Sequence, residues 1–147
     1  MYHYEECGLH NIWLQSGYEE SDTPYGKAVS IHDMNGLHHA IGIALITNKP
    51  QLSGDEFRFL RIEMDLPQSQ LALSLGVSES TIRNWEKDRV AAIQGPADRM
   101  IRLLYREYTN GSSPIREMID RLSQLNQDAY QGKLAFEETE SGWKAAA

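Results

Sequence analysis

The sequence predicts a mainly α fold with a small N-terminal α+β (hairpin plus helix) domain and an additional C-terminal helix. Apolar residues recur at helical spacing between residues 53 and 108. A shorter region with alternating apolar residues precedes them, and one further amphipathic segment follows Pro114. We therefore divide the chain into residues 1–50, a small α+β domain; 51–110, a helical domain; 111–131, an amphipathic helix; and 132–147, an acidic flexible tail.

The N-terminal region combines short strands with one helix. Residues 11–17 and 27–32 alternate apolar and polar positions, so we expect a two-stranded hairpin joined by a polar loop. Asp33 can cap a helix whose inner stripe runs from Leu37 to Leu45 and which ends before Asn48. Because a hairpin and one helix bury little surface, this region either folds alone or packs against the helical domain.

The helical domain begins with a capped helix. Ser53 and Glu56 have the spacing of a capping box. We place Arg58 and Arg61 on the outer side of this helix, opposite an inner stripe of Phe57, Leu60 and Met64. A later helix opens at Gly95 and closes the core with Ala97, Met100, Ile101, Leu104 and Tyr108.

Residues 66–89 have the spacing of two short helices joined by a sharp turn. Leu71 and Leu75 lie on one face of the first helix, and Gly76 suits a left-handed residue just past its end. Ser78 is a good N-cap for the second helix. With Ile82 and Trp85 pointing inward, five polar residues must point outward: Glu79, Ser80, Arg83, Asn84 and Lys87.

This outward face has the chemistry of a DNA-reading surface. Arginine makes bidentate contacts to guanine and asparagine to adenine in the major groove. Flanking polar and basic residues would contact phosphates, Gln68 at the start of the preceding helix among them. The alternative is a solvated helix face. The predicted DNA-binding residues are Gln68, Ser69, Ser78, Glu79, Ser80, Thr81, Arg83, Asn84, Lys87 and Arg89.

The segment 52–106 resembles the lambda-repressor-like helix-turn-helix of the Xre family. The resemblance rests on the stretches Gln68-Ser69-Gln70-Leu71-Ala72, Leu75-Gly76-Val77-Ser78 and Thr81-Ile82-Arg83-Asn84-Trp85-Glu86. It implies a lambda-repressor-like helix-turn-helix bundle whose second short helix enters the major groove, usually as a homodimer on an inverted repeat of double-stranded DNA. Pro67 departs from the Ser or Thr common at that position.

A small domain before such a helix-turn-helix is also the layout of MqsA-like antitoxins. The zinc module of those proteins uses two Cys-x-x-Cys pairs, whereas this chain has one cysteine, Cys7. The resemblance therefore covers the second half only. It implies a dimeric repressor of its own or a neighbouring operon, and a toxin partner only by analogy.

Charge neither supports nor excludes DNA binding. The chain carries a net charge of −7, while residues 53–110 hold 8 Lys and Arg against 9 Asp and Glu. A nearly neutral domain should bind random DNA weakly and depend on base contacts and a dimer. Residues 1–50 hold 2 Lys and Arg against 6 Asp and Glu, which keeps open a protein-binding module whose N-terminal domain neutralises a toxin.

Other functional classes find little support in the sequence. Cys7 and His10 have the spacing of half a zinc site, but the second pair would have to come from the distant His32, His38 or His39, so we expect no metal and no cofactor. No phosphate loop, nucleophile elbow or metalloprotease pattern appears, so we expect no enzyme. A single cysteine and the absence of a long apolar run predict a cytoplasmic protein with no membrane partner.

The C-terminal amphipathic segment follows a turn-rich stretch at residues 110–113. Pro114 opens a helix whose apolar stripe is our best candidate for the dimer interface: Ile115, Met118, Ile119, Leu122 and Leu125. The alternative is a last helix that folds back onto its own domain. From Gly132 onward the chain is acidic and weakly patterned, which predicts the flexible tail.

Overall fold

The computed structural model describes residues 1–130 and 132–146, and within them the fold is mainly α, as predicted. The helices are α1 (Met34–Asn48), α2 (Gly54–Glu63), α3 (Gln68–Leu75), α4 (Glu79–Lys87), α5 (Gly95–Asn110) and α6 (Pro114–Ser123), followed by a 3-10 turn at Gln127–Ala129. The strands are β1 (Tyr2–His3), β2 (Trp13–Leu14), β3 (Tyr18–Thr23), β4 (Gly26–Ile31), β5 (Phe136–Thr139) and β6 (Gly142–Ala145). They pair in chain order into three antiparallel two-stranded ribbons.

Helices α2 to α5 enclose the centre of the hydrophobic core. Among the residues that the structure describes, six of its side chains are completely buried: Leu52, Phe57, Leu60, Leu71, Ile82 and Ile101. The start of α2 lies against the end of α4, because a Cβ on Gly54 would meet the carbonyl oxygens of Trp85 and Asp88 at 2.2 and 2.4 Å. Only glycine permits this approach.

The N-terminal region packs against the helical bundle through α1. Tyr4, Leu9 and Ile41 belong to the same buried cluster as the residues of α2 and α5. Helix α1 crosses α5 closely, since a Cβ on Gly42 would lie 2.1 Å from the Tyr105 hydroxyl oxygen. Of the two arrangements considered for residues 1–50, the structure therefore has the one packed on the bundle.

The predicted pairing of the N-terminal strands is wrong. Residues 18–23, expected to be loop, form β3 and pair with β4, whereas β2 pairs with β1. A tight turn sets this register: the Thr23 hydroxyl accepts from the Tyr25 N–H and donates to the Gly26 carbonyl. Most of β3 is exposed on both faces, so its sequence needs no apolar alternation.

The C-terminal region also differs from the prediction. Residues expected to form a featureless acidic tail contain the β5–β6 ribbon. Phe136 pairs with Ala145 and Trp143 with Glu138, so the apolar side chains share one face while a Glu137–Lys144 ion pair lies on the other. Four-residue strands are too short for this alternation to stand out in the sequence.

Helix α6 folds back onto its own bundle and still exposes part of its apolar stripe. Ile119 is buried against α3 and α5. The buried Glu107 carboxylate caps the helix, accepting from the N–H groups of Ile115 at 2.7 Å and Arg116 at 3.3 Å. Met118, Leu122 and Leu125 remain more than half exposed.

Candidate nucleic-acid interface

Two short helices and a sharp turn form the frame of the candidate site. Gly76 ends α3 with a φ of 70°, a left-handed conformation that side-chain-bearing residues rarely adopt. Ser78 then caps α4, its hydroxyl accepting from the Thr81 N–H at 3.1 Å. Ile82 is fully buried, and the Trp85 ring packs edge-on against Phe57 with centroids 5.8 Å apart. The inner side of α4 is therefore held rigidly.

The outer side of α4 is free. The five outward residues are all exposed, and we call them the recognition face: Glu79, Ser80, Arg83, Asn84 and Lys87. Ser69 and Arg89 are exposed as well. Gln68 and Thr81 are half-buried. Glu79 and Arg83 form an exposed ion pair of 3.3 Å along the helix. Most of the predicted residues thus lie on one continuous surface around α4.

Comparison with known families agrees with this geometry. A family model described as Helix-turn-helix matches residues 57–94, about a quarter of the 147-residue chain. Residues 57–94 are an Xre-type helix-turn-helix. No curated protein and no solved structure matches the chain. The predicted lambda-repressor-like bundle is confirmed, and with it a DNA-binding domain of the kind found in transcriptional regulators.

A buried ion pair connects the helix-turn-helix to α2. Arg61 donates two hydrogen bonds to the Glu86 carboxylate, at 2.7 and 2.8 Å, and a third to the Leu66 carbonyl at 2.9 Å. The prediction that Arg61 lies on an outer face is wrong, because its side chain is only 10% exposed. Helical periodicity separates the sides of α2 but does not reveal that α4 covers one of them.

Gln68 occupies the start of α3, where a phosphate contact was predicted. Its side-chain amide donates to Glu86 at 3.1 Å and joins the same network. Gln68 thus links the first helix of the helix-turn-helix to the end of the second. A direct phosphate contact by Gln68 stays a prediction, and the second N–H of its side-chain amide is the group that can donate to a phosphate oxygen.

Two of the arginines on α5 serve the fold. Arg102 is mostly buried, bonded to Asp98 at 2.7 Å and to the last carbonyls of α1, while Arg99 contacts the same carboxylate. Burial acts to raise the pKa of Asp98, but hydrogen bonds from Arg102, the Leu52 N–H and Arg99 lower it overall. Arg99 and Arg102 are therefore engaged with Asp98 on α5, and they are distinct from the exposed cations on and just after α4.

The histidines and Cys7 have structural surroundings. His38 bridges Tyr4 and Glu63 at 2.7 Å to each, and His3 stacks on Trp13. Burial raises the pKa of the Cys7 thiol. Within residues 1–130 and 132–146, no three potential metal ligands come together. In the same ranges, no helix is both long and apolar enough to cross a bilayer.

Proposed function

We propose that this protein is a sequence-specific transcriptional regulator that binds double-stranded DNA as a dimer and represses its own or a neighbouring operon. The observation that carries the proposal is the recognition face, where five polar residues of one rigid helix point to solvent. A helix of this kind fits the major groove, which is about 12 Å wide. The regulator would act in the cytoplasm, and no catalytic step is part of the proposal.

The side chains divide into base-reading and phosphate-contacting groups. Arg83 can hold a guanine and Asn84 an adenine through paired hydrogen bonds, and Glu79 can accept from a cytosine. Ser78 and Ser80 lie at the start of the helix, where they suit close approach to bases or backbone. The remaining contacts would orient the domain on phosphates, and they come from Gln68, Ser69, Thr81, Lys87 and Arg89.

The exposed stripe of α6 supports the dimer. Met118 and Leu122 of α6 are 56 and 51% exposed, and Leu125, just after its end, is 65% exposed. A second copy packed on this stripe would bury them, and a dimer bound to an inverted repeat would hold its two recognition helices about 34 Å apart, one turn of DNA. Leu122→Glu should give a monomer by light scattering and weaken operator binding. A monomeric wild-type protein would contradict the proposal.

The proposed function is tested by selecting bound duplexes from a random library at near-physiological salt. The wild-type protein should enrich an inverted repeat, and the Arg83→Ala, Asn84→Ala double variant should not. Circular dichroism of the variant verifies that it is folded. An Arg106→Ala control removes an exposed arginine of α5 and should leave the selected sequence unchanged. If the folded wild-type protein enriches no sequence, the DNA-reading role is rejected.

The N-terminal region favours a second candidate, a protein-binding module that neutralises a toxin. The β3–β4 ribbon carries Glu19, Glu20 and Asp22 and is exposed along most of its length. An apolar groove of about 410 Å³ also opens between β2 and α1, with Trp13 at its edge. Binding to such a partner would be unaffected by the Arg83→Ala, Asn84→Ala change, and co-purification with the neighbouring gene product would detect it.

A further inference from the structure

A cleft lies between the N-terminal turn and the end of the recognition helix. Its volume is about 320 Å³, and the seven residues that line it come from three parts of the chain: Cys7, Gly8, Asp55, Arg58, Glu86, Lys87 and Arg89. We call it the Gly8 cleft. Residues of the N-terminal region, α2 and the end of α4 thus share one open pocket beside the recognition face.

We propose that the Gly8 cleft binds a backbone phosphate of the duplex read by α4, which makes the N-terminal turn part of the DNA-binding surface. This inference rests on the proposed function. It adds to the DNA-binding surface two residues that lie outside the recognition helix α4, Arg58 and Gly8. It also gives residues 1–50 a direct role in DNA affinity.

The charge of the cleft favours an anion. Arg58, Lys87 and Arg89 contribute three cations. The two carboxylates of the cleft are already engaged. Glu86 is held by two hydrogen bonds from Arg61 and also lies 4.0 Å from Nε of Arg58, and Asp55 accepts from the Glu56 N–H at 2.9 Å. In a chain with a net charge of −7, a group of cations at one end of a helix-turn-helix is a local exception.

The position of the cleft favours a phosphate of the bound duplex. Lys87 follows Arg83 by one helical turn, a rise of about 6 Å along α4. A helix in a groove about 12 Å wide has its end beside one of the two strands. The close packing of Gly54 against the Trp85 and Asp88 carbonyls brings the start of α2, and with it Arg58, to the same place.

The N-terminal turn positions Arg89 and lies beside Arg58. Gly8 has a φ of 91°, and its carbonyl accepts from Nη2 of Arg89 at 2.7 Å. A Cβ on Gly8 would lie 3.8 Å from Nη1 of Arg58. The turn is closed by the Gly8 N–H donating to the Glu5 carbonyl at 2.9 Å. Gly8 is thus a positioning residue for Arg89, with the Arg58 guanidinium nearby.

The test measures the salt dependence of duplex binding by the full chain. With the selected duplex, Arg58→Gln and Arg89→Gln should each reduce the slope of log K against log salt by about 0.9, the value for one lost phosphate contact. Binding to a scrambled duplex should weaken by the same factor, because phosphates carry no sequence information. Arg106→Gln, an exposed arginine on α5, is the matched control and should leave the slope unchanged.

A second comparison separates positioning from charge. Gly8→Ala should weaken binding in the wild-type background and add nothing in the Arg89→Gln background, because its effect passes through that arginine. If the wild-type protein binds a duplex that Arg83→Ala, Asn84→Ala loses, but Arg58→Gln and Arg89→Gln keep the wild-type slope, this inference alone is rejected. A wild-type protein that binds no duplex rejects the proposed function as well.

Discussion

Replacing Glu86 with alanine should destabilise the protein by about 3–5 kcal/mol, the cost of leaving a buried charge without its partner. The Glu86 side chain is 3% exposed and the Arg61 side chain 10%. The variant loses two charge-assisted hydrogen bonds, of 2.7 and 2.8 Å, and leaves the Arg61 guanidinium buried between α2 and α4 without its carboxylate partner. Since domains are stable by only about 5–15 kcal/mol, this is a large fraction of the total.

Urea unfolding followed by far-UV circular dichroism measures this cost. Glu79→Ala is the matched control, because Glu79 lies on the same helix in an exposed pair with Arg83 and should contribute less than about 1 kcal/mol. The double variant Arg61→Met, Glu86→Leu removes both charges and should recover most of the loss. The reasoning is refuted if Glu86→Ala costs no more than the control, or if the double variant loses the sum of the single changes.

Three further predictions concern the packing of the other helices. Gly42→Ala should lower the melting temperature, at a cost of about 1–3 kcal/mol, because the new Cβ would lie 2.1 Å from the Tyr105 hydroxyl; Gly95→Ala, with open space around it, should not. Asp98→Asn should be destabilising at neutral pH. Because the pKa of Asp98 is lowered in the folded state, its stabilising effect is present above the unfolded value of about 3.9 and is lost as pH falls through the lower folded value. The melting temperatures of the wild type and Asp98→Asn should therefore converge in acid; a constant difference would contradict this. Glu107→Ala should increase hydrogen exchange in the first turn of α6, where Glu117→Ala should have little effect, and equal exchange in the two variants would show that Glu107 is not the cap.

The helix-turn-helix could be predicted from sequence because its signals are local. Gly76 ends one helix through its own backbone freedom, and Ser78 begins the next through a hydrogen bond three residues away. Once Ile82 must be buried, helical geometry places Arg83 and Asn84 on the outside. Each of these relations lies within a single turn, so no knowledge of the remaining chain is needed.

The N-terminal ribbon and Arg61 were predicted wrongly for one shared reason. The pairing of β3 with β4 is set by the turn at Thr23 and leaves both faces exposed, so apolar alternation does not mark it. Arg61 became buried because Glu86, 25 residues later, pairs with it, while Arg58 on the same helix stays exposed. Both outcomes depend on which segments meet in space, and periodicity along one segment does not contain that information.

Which residues α4 presents to solvent follows from the sequence alone, because capping and helical periodicity act over a few residues. The surroundings of that face depend on the tertiary structure. It placed the Gly8 carbonyl on Arg89, 81 residues away, and Arg58 beside the same turn. Such contacts form when folding brings distant segments together to bury one common core, so the cleft beside the recognition helix could be found only in three dimensions.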